Sequence, residues 1–197
     1  MENVFMQDNV FTQESARKGF SWDDLGNIKE GRGNLGEEMP VVVYRLMQFT
    51  MRDVMVEEFG RQKADDFLRK AGLLAGIEFA KNVLTLDLEF DDFVAHLQKT
   101  LFELKVGMLR LESVNEDAQE IVLTIGEDLD CSGLPITDET VCNYDEGFIA
   151  GILEVYTGKP YNVQEIDCWA SGDRTCRFKC TSTAISSPPQ PGAVSLN

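Results

Sequence analysis

Three of the five cysteines in this 197-residue chain fall within EIDCWASGDRTCRFKC, residues 165–180. Cys168 and Cys176 stand equally far from Gly172, so a hairpin turning there sets them opposite one another, within reach of a disulfide or a shared metal. Glu165 lies three residues before Cys168, and Cys142 precedes both on a segment of helical pattern. Three thiolates and a carboxylate form a tetrahedral donor set of the kind zinc takes. Sulfur-rich sets favour zinc or iron–sulfur clusters over magnesium or calcium. Glu165 and Cys168 would point to opposite faces of an ideal strand, so a shared site requires a bulge or strand end between them. The spacing C-x22-E-x2-C-x7-C is not a common zinc pattern. Spacing alone therefore leaves buried thiols, a disulfide and a metal site all open. Cys131 and Cys180 read as core or spare thiols.

Other chemistry is thin. Gly31-Arg32-Gly33-Asn34-Leu35-Gly36 matches G-x-G-x-x-G, but a dinucleotide loop needs a hydrophobic strand before it, and WDDLGNIKE is charged and turn-like. His96 is the only histidine, which excludes sites built on two or more. It lies beside a leucine stripe and reads as a partly buried structural residue. The pairs Asp91-Asp92 and Glu37-Glu38 stand at helix starts, where carboxylates favour the helix dipole. The formal charge of −16 repels nucleic acids and anionic lipid headgroups. No run approaches the ~18 apolar residues of a membrane helix, and no secretion signal is visible. The expectation is a soluble cytoplasmic protein, in which thiols stay reduced and clustered cysteines favour metal over disulfide.

The elements that must position these residues divide the chain into an N-terminal arm (1–37), a domain (38–180) and a polar tail with the composition of disorder (181–197). After Pro40, Met47, Met51, Val54, Met55 and Phe59 form a helical stripe closed by Gly60. A second helix, from about Arg61 to Val83, carries Gly72, Gly76 and Ala80 four apart, which lets a neighbour approach its backbone closely. A third runs from about Phe90 to Lys105. MLRLESV and EIVLTIGE alternate as strands. A helix beginning near Thr137 places Cys142, Ile149, Leu153 and Tyr156 on one face, and YNVQEIDCWA and TCRFKC close the domain as a hairpin. The order predicts an α+β fold, with helices packed on an antiparallel sheet of about four strands.

From GRGNLGEEMPVVVYRLMQF to CRFKC the chain resembles the 4-vinyl-reductase-type, or hydrocarbon-binding, domain, whose fold is shared with small subunits of the TRAPP vesicle-tethering complex. The most specific stretch is VCNYDEGFIAGILEVYTGKPYNVQEIDCWASGDRTCRF, with CSGLP upstream. Related sensor domains of aromatic-responsive transcription activators bind a structural zinc. By position the resemblance implies Cys142, Glu165, Cys168 and Cys176 as its ligands here. Four protein ligands leave no open position for an activated water, so the implied zinc is structural. The resemblance further implies a non-catalytic domain that binds an apolar or aromatic small molecule, a homodimer, and output through a separate partner protein. Phe93, Phe102, Phe148, Tyr156 and Trp169 are the candidate pocket residues. Two alternatives are an enzyme or delivery factor acting on the vinyl group of a tetrapyrrole and a structural adaptor in a protein complex.

Overall fold

A computed structural model describes residues 19–183, so residues 1–18 and most of the expected tail lie outside the described part. Behind a 3₁₀ turn at Trp22–Leu25 come helices α1 (Ile28–Gly31), α2 (Val41–Phe59), α3 (Arg61–Val83) and α4 (Phe90–Glu103). Strands β1 (Met108–Asn115) and β2 (Glu120–Gly126), helix α5 (Asn143–Thr157), and strands β3 (Tyr161–Asp167) and β4 (Cys176–Ser182) complete it. β4 thus runs two residues past the expected domain boundary at 180. No helix among the described residues is long and apolar enough to cross a membrane.

Glycine decides how the two central helices meet. A Cβ on Gly72 would overlap the Tyr144 carbonyl oxygen, and one on Gly76 that of Phe148. From the other side, a Cβ on Gly147 would overlap the Arg69 carbonyl oxygen, and one on Gly151 would crowd Leu73. The close approach expected from Gly72 and Gly76 is therefore reciprocal, and α5 is the neighbour. Pressed against α3, α5 turns Ile149, Ile152 and Leu153 towards the sheet. There they join Phe93, Leu97 and Leu101 of α4 and the inward residues Leu109, Leu123, Ile125, Val163 and Phe178.

The sheet is antiparallel throughout, in the order β1-β2-β4-β3. Asp167 opposes Arg177 across an irregularity between Glu165 and Asp167. This supplies the break that Glu165 and Cys168 need to approach one region.

Two sequence expectations are corrected. The helix expected to start near Thr137 starts at Asn143, with Cys142 at its N-cap. The Thr137 N–H instead donates to the Ala170 carbonyl at 2.8 Å, and Asp138 takes a left-handed φ of 58°, so the segment is tied to the hairpin rather than coiled. The apolar stripe of α2 is not a core stripe. Met47, Met51 and Val54 are more than half exposed, and no α2 residue is fully buried. The face towards the protein carries Tyr44, Arg45, Gln48 and Arg52, beside half-buried Phe49, Met55 and Val56. Their hydrogen bonds hold the helix: Arg45 Nε donates to the Leu129 carbonyl at 2.8 Å, and Arg52 binds Asn143 Oδ1 at 3.0 Å and Asp65 at 2.7 Å.

The G-x-G-x-x-G segment follows the 3₁₀ turn and overlaps the short α1, with no strand before it among the described residues. His96 Nε2 accepts the Thr85 N–H at 3.2 Å, the structural role expected of it.

Candidate functional site

Four segments converge on one point: the loop after β2, the N-cap of α5, the end of β3 and the start of β4. They bring the sulfurs of Cys131, Cys142, Cys168 and Cys176 all within 4.8 Å of one another, all buried. Cys142 and Cys168 are 3.9 Å apart, Cys142 and Cys176 3.7 Å, and Cys131 and Cys176 3.0 Å. Tetrahedral zinc with ~2.3 Å bonds to sulfur needs its four sulfurs about 3.8 Å apart. Two of the three separations match that edge without adjustment, and the cluster could hold a metal ion.

With thiols alone, the sulfurs shift one another's acidity. Hydrogen bonds from Cys131, Cys142 and Cys176 pull Cys168 far below the usual thiol range. Its hydrogen bond with Cys131 pushes Cys142 strongly up, with the other sulfurs and burial adding to it. Cys176 is likewise pushed up, first by Cys131. A buried group of four thiols suits a soft cation. Cys180 lies outside the cluster, in β4 opposite Ile121 and Val163, and burial raises it to about 12. It is a core thiol.

The set Cys142, Glu165, Cys168 and Cys176 is thus brought together as three sulfurs with a carboxylate beside them, and Cys131 joins as a fourth sulfur. Glu165 Oε2 accepts the Cys142 N–H at 3.2 Å, while its buried Oε1 has no hydrogen-bond partner. Burial, then Cys168, pushes its carboxyl up to about 8. The Glu165 N–H donates to Glu146 Oε1 at 2.9 Å, and Glu146 Oε2 receives Arg69 Nε at 2.5 Å. A polar chain therefore runs from α3 at the surface to the cysteines. Sequence reasoning set Cys131 aside because its place depends on pairing. Ile125, near the end of β2, opposes Cys176, so the loop leaving β2 must pass the cluster.

Beside the sulfurs lie three buried carboxyls. Asp128 Oδ1 accepts the N–H groups of Asp130 and Cys131 at 2.8 and 3.0 Å. Asp130 accepts the Tyr44 hydroxyl at 2.8 Å and Gln48 Nε2 at 2.6 Å, which docks α2. Burial, then Asp130, pushes Asp128 up to about 7, and burial lifts Asp145 well above the carboxyl range. Between α4, α5 and the sheet is a cavity of about 30 Å³, walled by Leu97, Leu101, Leu123, Ile125, Phe148 and Ile152, with Asp145 at one side. Unexpanded, it has room for about one water molecule.

The five candidate pocket aromatics are not gathered. Phe148 lines the cavity. Phe93 stacks on Tyr156 at 3.7 Å, and the Tyr156 hydroxyl donates to the Leu88 carbonyl at 3.0 Å. Trp169 Nε1 donates to the Leu134 carbonyl at 3.1 Å near the hairpin, and Phe102 is 58% exposed. The cavity is lined chiefly by aliphatic residues, which an aromatic-only search of the sequence does not find.

Comparison with known proteins places this architecture. Two proteins of Methanocaldococcus jannaschii, MJ0150 and MJ1642, are 27% identical over 103 residues and 34% over 104. These alignments cover 52% and 53% of this chain and 58% of each relative, so the chain spans little more than half of the relatives it matches. Among solved structures, a trafficking protein particle complex subunit 3 from Naegleria fowleri, covalently bound to palmitic acid, aligns with a TM-score of 0.58 at 15% identity. That alignment covers 72% of this chain and 94% of the other. The phenol-responsive sensory domain of the transcription activator PoxR aligns at 0.55 and 15%, covering 75% and 76%. A vinyl-4-reductase family protein from M. jannaschii aligns at 0.54 and 16%, covering 84% and 99%. At these identities the likeness is one of fold. Residues 121–182, from β2 through the four cysteines to the end of β4, match the V4R domain model.

Proposed function

We propose that this chain is a non-catalytic small-molecule-binding domain, a sensor module that takes an apolar ligand between α4, α5 and the sheet and is braced by zinc at the cysteine cluster. The carrying observation is the apolar cavity directly beside a buried cluster of four thiols. Support comes from the fold shared with a phenol-responsive sensory domain. A zinc ion bound by four protein ligands supplies structural cross-linking and no activated water. Cys131, Cys142, Cys168 and Cys176 would hold it, with the orphaned Glu165 Oε1 as a competing donor for one position. The cross-link would fix the start of α5, and α5 forms one wall of the cavity. Any signal would then leave through a separate protein.

The outward face of α2 supports a homodimer. Val42, Val43, Leu46, Met47, Met51 and Val54 follow one arc of the helix and are each half or more exposed. Together they present one continuous apolar face, the kind of surface that forms the centre of a stable interface. A two-fold pair needs a self-complementary patch, and an apolar one meets that condition where a chain of charge −16 otherwise repels its copy.

The test combines metal analysis with ligand uptake. Purified protein is expected to hold one zinc per chain. Cys176→Ser should lose the metal and melt far lower, since structural zinc contributes on the order of 10 kcal/mol of folding free energy in small domains. Small aromatic compounds should raise the melting temperature of the loaded protein. Metal-free protein that is fully folded and unmoved by any such compound overturns the reading. Turnover of a vinyl-bearing tetrapyrrole would replace it with the enzymatic one.

A further inference from the structure

The inward residues of α2 reach for the segments that carry the cysteines. The Arg45 guanidinium donates to the carbonyls of Leu129 and Ser132 at 2.8 and 2.9 Å, on either side of Cys131. Asp130, the residue before Cys131, accepts Tyr44 at 2.8 Å and Gln48 at 2.6 Å. It also shares a side-chain hydrogen bond with Asp145, on the first turn of α5. Arg52 donates to Asn143 Oδ1 at 3.0 Å, one residue after Cys142. These acceptors lie in or beside the connection between β2 and α5, residues 127–142, which contains no helix or strand. Connections of this length without regular structure are uncommon and usually functional. Backbone hydrogen bonds tie this one to its surroundings at Leu129, to Val106, and at Thr137, to Ala170. Cys131 and Cys142 are further ties, through their sulfurs to those of Cys168 and Cys176. As separate thiols they offer only weak S–H hydrogen bonds, whereas one shared cation would pin both to the hairpin.

We infer that α2 is a metal-gated element: a thiophilic cation at the cysteines holds the 127–142 connection in the shape that α2 grips, and loss of that cation releases α2 ahead of α3 and α5. This rests on the metal part of the reading above and adds regulation to it. α3 and α5 meet through glycine-to-backbone contacts that involve no cysteine, so their packing does not pass through the cluster. α2 has no fully buried residue and is held by polar bonds, which places its release at the low end of local opening energies. The coupling is reciprocal: a cation that tightens the docking of α2 is itself bound more tightly, by the same factor, when α2 is docked. Occupancy at the cysteines is then read on the outward apolar face of α2, the face given above to a second copy.

The experiment is hydrogen exchange, read by mass spectrometry, on the zinc-loaded full chain and on the same chain after a chelator has withdrawn the zinc. Amides of α2 are expected to exchange at least about tenfold faster without zinc, with those of α3 changing far less. The reciprocal arm is zinc affinity, measured by competition with a chromophoric chelator. Tyr44→Phe combined with Gln48→Leu alters no sulfur or carboxyl group and should weaken zinc binding at least about fivefold. If the double variant does not fold, Tyr44→Phe alone carries this arm, and the wild-type exchange still decides. Equal α2 exchange with and without zinc would overturn the inference and leave the structural zinc standing. Loss of protection in α2 and α3 together would make zinc a brace of the whole fold and also overturn it. So would an unchanged zinc affinity in the variant. A chain that takes up no zinc would remove the metal reading itself, and this inference with it.

Discussion

Helices α2 and α5 are 19 and 15 residues long and both rich in apolar side chains, yet they use them in opposite senses. α5 buries nine residues, has glycines where it meets α3, and keeps its acids inside, where Glu146 pairs with Arg69. α2 buries none fully, holds on through Tyr44, Arg45, Gln48 and Arg52, and turns its valines, leucine and methionines to solvent. A helix fixed by close backbone approach tolerates no added atom. A helix fixed by hydrogen bonds tolerates surface change and fails when a buried partner is removed. α5 is part of the core, and α2 is a docked element between that core and whatever covers its outer face.

The largest effect that would break this contrast is on α5. Gly147→Ala places a methyl group in the Arg69 carbonyl, and Gly76→Ala in that of Phe148. Each should cost about 3 kcal/mol or more, because backbone rather than a flexible side chain must yield. Urea denaturation followed by circular dichroism reads the loss, and a cost below about 1 kcal/mol would show that the helices are not so tightly crossed.

On α2 the sensitive side is the inner one. Tyr44→Phe removes one donor to buried Asp130 and should cost about 1–3 kcal/mol. Leu46→Glu combined with Met47→Glu, on the outer side, should leave the protomer's own stability within about 0.5 kcal/mol. The same double variant should convert a dimer to a monomer in light scattering. Unchanged mass would show that this face does not join two copies.

The smallest effect is on acidity. In metal-free protein, Asp128 and Glu165 have folded values of about 7 and about 8, raised above their ordinary carboxyl range. The folded chain therefore keeps protons that the unfolded chain releases from about pH 4 upward. Their contribution is fully present below that pH and is lost as pH rises towards 8. Melting temperature of the metal-free chain should fall across this window. Metal binding has the opposite slope, since thiols must lose protons to bind.

The element order, the β3–β4 hairpin and the close approach to the α3 glycines could be read from residue patterns, because each depends on local periodicity and turn residues. The two misreadings both concern long-range partners. Nothing within 137–142 reports that Thr137 bonds to Ala170, and nothing in α2 reports that Asp130 waits for Tyr44 and Gln48. A stripe at helical spacing shows that a helix has an apolar face, and leaves open whether that face meets the same chain. Likewise Cys142, Cys168 and Cys176 were legible as neighbours from the hairpin and the preceding helix. Cys131 was not, because only the pairing of β2 with β4 carries it there.

The polar docking of α2 also has a calorimetric consequence. Exposing apolar surface raises heat capacity, whereas exposing polar surface lowers it. Lifting α2 from its own protomer wets Tyr44, Arg45, Gln48, Arg52 and the acids they meet, together with only partly buried apolar groups. The two contributions oppose each other, so this step carries a small heat-capacity change and an enthalpy that varies little with temperature. Opening the α3–α5 core exposes hydrocarbon and carries a large one. Cooling therefore weakens the apolar contribution of the core along a curve, while the free energy that holds α2 changes close to linearly with temperature.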